Sequence, residues 1–124
     1  MIYTLFLYSS PFYSSLPWQA YDLVRVLLKK KQHGIHAAFF YADAVRIADK
    51  TLALTRNNLA INQAWSDLAE TGQLSCHFCI SSAVKRNLIS EDGKNTQTVL
   101  PGFTLSSLTE FIALKQQSEE VLVF

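Results

Sequence analysis

The chain is poor in the residues that announce the common small-protein classes. It has only two cysteines in 124 residues, too few for a disulfide framework. It has four glycines, and none forms a Gly-rich phosphate loop after the first apolar segment. A nucleotide- or flavin-binding module would need such a cradle, so that class ranks low. No charge of one sign dominates. Eleven Lys and Arg stand against ten Asp and Glu, for a formal charge of +1, which gives no reason to expect direct nucleic-acid binding. No apolar run is long enough to span a bilayer. The longest near the N-terminus, Ile2 to Tyr8, also lacks the basic region that precedes a secretory signal. The expectation is a soluble cytoplasmic protein with no membrane contact, in a compartment where thiols stay reduced unless they have redox work to do.

What is present describes one globular domain spanning residues 1–124. Hydrophobic residues make up 49% and charged residues 17%, enough to bury a single core. Ile2 to Tyr8 is short, aromatic and β-branched, and reads as a buried strand. Ser9 to Pro17 is a loop by its Ser and Pro content. Ala20, Leu23, Val24, Leu27 and Leu28 then lay an apolar stripe down a helix that Gly34 is expected to end. Lys29-Lys30-Lys31 reads as cations favoured at that helix's C-terminus. Ile35 to Tyr41 shows no polar alternation, as expected of a strand covered on both faces.

After an irregular stretch, Asn57 or Asn58 can cap a helix whose stripe is Ile61, Ala64, Trp65 and Leu68. Leu74 to Phe78 follows as a strand and Ser81 to Arg86 as a short helix capped by Ser81 or Ser82. Asn87 to Gly102 is a long polar loop. Thr104 or Ser106 can start a last helix with Leu105, Leu108, Phe111 and Ile112 facing inward, and Val121 to Phe124 closes the chain as a strand. This alternation predicts an α/β fold with an open, mainly parallel sheet and helices on both sides. In such sheets chemistry sits at the C-terminal ends of the strands.

Both cysteines fall in Ser75-Cys76-His77-Phe78-Cys79. The C-x-x-C spacing admits a redox pair, half a metal site, two packed thiols, or one working thiol beside an idle one. Residues three apart on a strand point to opposite faces, which would hold the two Cα atoms roughly 10 Å apart, beyond the ~7 Å reach of a disulfide. A metal site would need more ligands, and no second C-x-x-C or H-x-x-x-H supplies them. His77 reads as a hydrogen-bonded histidine, and Cys76 as a small buried hydrophobe. Cys79 falls where a strand meets a helix, and backbone N–H groups there favour a thiolate. The residues alone leave it open between a working thiol and another buried one. Lys85 and Arg86 read as cations at the far end of the short helix, with Asn87 as a left-handed cap.

Three segments together resemble a known family. Phe39-Phe40-Tyr41-Ala42-Asp43-Ala44-Val45 looks like an FFY-x-(D/E)-G-V segment. Cys79-Ile80-Ser81-Ser82-Ala83-Val84-Lys85-Arg86 is similar to a C-(V/I)-x-x-A-x-x-R stretch, and Gly102 to Leu108 resembles GFTLSGL. They occur in the order of the TusD/DsrE group of sulfur-relay proteins. In this sequence Ala44 and Asn87 stand where glycines are usual, and the first loop lacks one. The resemblance implies a three-layer α/β/α domain of about five strands, DsrEFH-like within the flavodoxin/Rossmann-like architectures. It implies a sulfurtransferase that carries sulfur as a persulfide on Cys79, the one catalytic residue, with no cofactor and no metal. The implied partners are two smaller paralogues (TusB/TusC-like or DsrF/DsrH-like) in a heterohexamer, with upstream and downstream sulfur-carrier proteins. The implied end point is 2-thiouridine in tRNA or, alternatively, dissimilatory sulfur oxidation. A non-catalytic assembly subunit is the other reading.

Overall fold

Five strands line up side by side in a computed structural model that describes every residue from Met1 to Phe124. In chain order the elements are β1 (Ile2–Leu7), α1 (Leu16–Leu28), β2 (Gly34–Phe40), a 3₁₀ helix (Ala42–Ala48), β3 (Thr55–Arg56) and β4 (Leu59–Ala60). They continue with α2 (Ile61–Glu70), β5 (Ser75–Cys79), α3 (Ile80–Lys85), β6 (Phe103–Ser106), α4 (Leu108–Lys115) and β7 (Glu120–Val123). The sheet order is β6-β5-β2-β1-β7, and every neighbouring pair is parallel. All the strand C-termini therefore emerge along one edge.

The central strand β2 explains the absence of alternation in its sequence. Ala37, Ala38, Phe39 and Phe40 are all fully buried, because helices lie on both faces. Phe40 meets the Trp65 ring of α2 edge-on, centroids 5.1 Å apart, and Tyr21 of α1 meets the same indole at 5.8 Å. On the opposite face Phe39 and Phe6 pack on Phe111 of α4, at 5.1 and 4.9 Å. Burying each such ring stabilises the fold by about 1.5–3 kcal/mol. The result is the expected three-layer α/β/α arrangement.

Four local expectations need correcting. The first helix ends at Leu28, and Gly34 instead opens β2. Asn57 and Asn58 do not cap α2. Both have left-handed backbones, φ 52° and 66°, as a tight two-residue hairpin turn requires, and they join β3 to β4, so Ala60 takes the N-cap position. The short helix begins at Ile80, and the residue before it, Cys79, is both the last of β5 and the N-cap. Finally, Phe103–Ser106 is an edge strand rather than the start of the last helix. Ser107 caps α4, its Oγ accepting from the Glu110 N–H while the Glu110 carboxylate accepts the Ser107 N–H. This capping box shifts the helix register, so Leu108 and Ile112 stand outward and exposed, and Phe111 packs on the core.

The loop from Asn87 to Gly102 is anchored along its length. Lys50 N–H donates to Thr98, Leu100 N–H donates to Ala48, and the Ser66 hydroxyl donates to the Pro101 carbonyl. No hydrogen bond from it reaches Cys79, Ser81 or Ser82.

Candidate functional site

The parallel sheet places Cys79 at its C-terminal edge, paired in register with Ser106 of β6. Alternation along β5 separates the two cysteines. Phe78 packs beside Phe103 on the side of α2, and Cys76, two residues earlier, shares that side. His77 and Cys79 take the other. Both thiols are free and buried, and the sequence-based reading of a splayed strand holds.

Their electrostatics diverge. Burial alone pushes the Cys76 thiol up to about 12, since nothing near it compensates an anionic sulfur. Burial also pushes Cys79 upward and is the largest single influence on it. The Ser81 and Ser82 hydroxyls and the backbone N–H groups of the same two residues outweigh it, so Cys79 ends below its ordinary value. The Ser81 Oγ lies 3.3 Å from the Cys79 sulfur. With only six residues, α3 adds a short dipole, so specific donors rather than a long helix favour the thiolate.

His77 is hydrogen-bonded, as the sequence predicts. Its Nδ1 lies 2.8 Å from Ser106 Oγ and its Nε2 3.1 Å from Ser75 Oγ. Desolvation lowers its pKa, with Glu110 pulling the other way. No group of three or more His, Cys, Asp and Glu side chains is placed to hold a metal ion.

Sequence reasoning passed over the anchoring of α3. The Ala42 N–H donates to Ser82 Oγ at 3.0 Å. Arg86 Nε donates to Asp43 Oδ1 at 2.7 Å, and Arg86 Nη1 donates to the Ser82 carbonyl at 3.1 Å. Arg86 therefore does more than sit on a helix C-terminus. Asn87 does take the left-handed backbone expected of it, φ 57°. The available signal was that Asp43 and Arg86 each lie in a segment carrying the family resemblance, one in each.

Comparison with known proteins agrees with this geometry. The model of the DsrE/DsrF-like family matches residues 1–124. Sulfurtransferase TusD of Buchnera aphidicola is 26% identical, with 100% of each chain covered. Sulfurtransferase TusD of Sodalis glossinidius is 31% identical over 64% of this chain and 65% of its own. Among solved structures, the ychN protein of E. coli superposes with a TM-score of 0.78 at 14% identity, with 100% of each chain covered, a likeness of fold. The chain belongs to the DsrE/DsrF-like family.

Proposed function

We propose that this chain is a sulfurtransferase subunit that carries sulfur as a persulfide on Cys79. The carrying observation is the contrast between two thiols three residues apart. Cys79 sits at the sheet's C-terminal edge among hydrogen-bond donors that lower its pKa, and Cys76 is sealed in the core with its pKa raised. The sulfurtransferase names of the relatives support the same chemistry.

In the transfer, the Cys79 thiolate attacks the outer sulfur of an incoming protein persulfide. A new S–S bond forms to Cys79, the donor's S–S bond breaks, and the donor's inner sulfur leaves as a thiolate. The exchange is redox-neutral and needs no cofactor. An acceptor thiolate then attacks the outer sulfur of Cys79–S–SH, and Cys79 is released as the leaving thiolate. The partners are an upstream and a downstream sulfur-carrier protein, with two smaller paralogues completing a heterohexamer in the cytoplasm. The proposed end point is 2-thiouridine in tRNA, as the resemblance to the TusD group implies, with dissimilatory sulfur oxidation the alternative.

The largest cleft, about 490 Å³, is lined by Ser90, Asp92, Lys94, Asn95, Thr96 and Gln97, and no cleft includes Cys79. To test the reading, the chain is incubated with a persulfide donor and its intact mass taken. A gain of ~32 Da that persists in Cys76→Ser and disappears in Cys79→Ser is expected. The opposite pattern would move the sulfur to Cys76. Sulfur transfer through an assembled complex that survives Cys79→Ala would leave this chain a purely assembling role.

A further inference from the structure

Cys79 stands at the reactive edge of the sheet and yet is only 2% exposed. Sulfur exchange needs the partner's sulfur to touch it, so part of its surroundings has to move first.

One side of the thiol is pinned. Ala42 and Asp43 fasten α3 to the turn after β2 through Ser82 and Arg86. The other side is held less firmly. Phe39 pairs in register with His77 and packs on Phe111, so the face of β5 that carries His77 and Cys79 is the face on which α4 lies. No residue of α4 is buried. The strand that leads into it, β6, is four residues long and lies at the sheet edge with β5 as its one neighbour. Elements with few buried contacts open at the lowest free-energy cost.

A side-chain bond crosses from this corner to the strand of Cys79. Ser106, the last residue of β6 and the register partner of Cys79, is fully buried. Its Oγ lies 2.8 Å from His77 Nδ1. The direction of that bond follows from the next link. The Ser75 hydroxyl donates to the His36 carbonyl at 3.3 Å, so its oxygen is left to accept from His77 Nε2 at 3.1 Å. Desolvation lowers the His77 pKa, Glu110 opposing it and His36 adding to it, and the neutral ring then has only Nδ1 to accept with. Ser106 is therefore the donor, and its single O–H is committed to His77.

We propose that the corner between β6 and α4 is the gate over Cys79, and that the Ser106–His77 hydrogen bond is its latch. A docking sulfur carrier reaches the thiol when the end of β6 and the start of α4 lift from β5. The pinned α3 stays in place and keeps the Ser81 hydroxyl beside the sulfur. His77 acts here as a positioning residue. The inference rests on Cys79 being the working thiol.

The two thiols of the chain test the gate together. Peptide mass spectrometry follows alkylation of Cys79 and Cys76 by iodoacetamide, across pH, in the native chain, Ser106→Ala, His77→Gln and His77→Asn. Cys76 is fully buried in the core, so it reacts when the core opens and reports general loss of stability. Native Cys79 should react faster than Cys76 and slower than Cys79 in the urea-unfolded chain. Ser106→Ala should raise the Cys79-to-Cys76 rate ratio by about three- to tenfold, with the pH midpoint of Cys79 unmoved. His77→Gln, whose amide extends towards the Nε2 position, should do the same. His77→Asn, whose amide oxygen stands close to the Nδ1 position, should stay near the native ratio. Equal rates for the two native thiols would overturn the proposal, as would a native Cys79 as reactive as in the unfolded chain. An unmoved ratio in Ser106→Ala, or a rise carried wholly by a shifted midpoint, would overturn it too. Should that variant not fold, an unmoved ratio in His77→Gln overturns it alone. Sulfur loading does not enter this readout. The expected ratios without the mass gain on Cys79 would defeat the sulfurtransferase reading and leave the gate standing, and the reverse result would do the opposite.

Discussion

Arg86 and Asp43 close a 2.7 Å ion pair between stretches of chain 43 residues apart. The pair fastens the end of α3 to the 3₁₀ helix that follows β2, so it ties the helix that follows Cys79 to the segment after the neighbouring strand. Its energetic weight is modest. The Arg86 side chain is 22% exposed and that of Asp43 is 52%, so solvent screens the attraction. Asp43→Asn should lower stability by about 1 kcal/mol or less, by less still at high salt. Urea unfolding at two ionic strengths measures both. A loss of several kcal/mol that ignores salt would mean that Asp43 acts by something other than this pair.

Cys76 should make the fold sensitive to alkali. Its pKa is raised from 9.0 to about 12, so above pH 9 the folded chain keeps a proton that the unfolded chain has lost. Stability from this group is intact below that pH and falls as pH climbs towards 12. Cys79 has the opposite sign: its lowered pKa contributes above the ordinary thiol value and fades as pH falls through the lowered one. At pH 10 the Cys76 effect amounts to about 1.4 kcal/mol. In urea titrations at pH 8 and pH 10, Cys76→Ala should therefore lose less stability than the native chain. Equal losses would show that burial does not hold this proton.

The sequence was most readable where a single physical cause acted along a continuous run. Ile35 to Tyr41 had to hold a strand buried on both faces, as β2 (Gly34–Phe40) is, and the stripe Ile61, Ala64, Trp65, Leu68 had to be a helix. It was least readable where a short segment took its conformation from distant partners. Phe103–Ser106 is four residues long, and only pairing with β5 makes it a strand. Asn57 and Asn58 fit an N-cap as well as a hairpin turn by residue type, because asparagine offers both a side-chain oxygen for a cap and tolerance of the left-handed backbone a tight turn needs. At the site, the place of Cys79 between strand and helix could be read, while its role came only with the family resemblance. The grip of Ala42 and Asp43 on α3 could not, since no local pattern connects residues some forty positions apart.

Gly102 occupies a position that admits no side chain. Its backbone is left-handed, φ +93°, and a Cβ there would lie 2.8 Å from the Ala69 Cβ and 3.1 Å from the Ser66 carbonyl of α2. Both neighbours belong to a packed helix that cannot yield cheaply. Gly102→Ala should destabilise the chain by about 2–4 kcal/mol, lowering the melting temperature by roughly 5–15 °C. Calorimetry decides it. A change of under a degree would mean that the loop at Pro101 detaches freely from α2.

Phe111 and Ile112 are adjacent on α4 and should answer to substitution in opposite ways. The Phe111 ring lies 4.9 Å from Phe6 and 5.1 Å from Phe39, and it is the main aromatic cover for that face of the sheet. Ile112 is 47% exposed and contributes little to the folded chain taken alone. Phe111→Ala should cost about 2–3 kcal/mol, below the range for a fully enclosed ring because the residue is half-buried. Ile112→Ala should stay within about 0.5 kcal/mol. Both are read by urea unfolding of the isolated chain. The capping box at Ser107 makes this contrast sharp, because it sets which of the two residues faces the sheet. Removing the cap with Ser107→Ala should lower stability by about 1 kcal/mol without exchanging the two roles, since the aromatic contacts of Phe111 hold the register once the helix has formed. If Ile112→Ala proved the costlier substitution, the helix would have to be rotated from the orientation described.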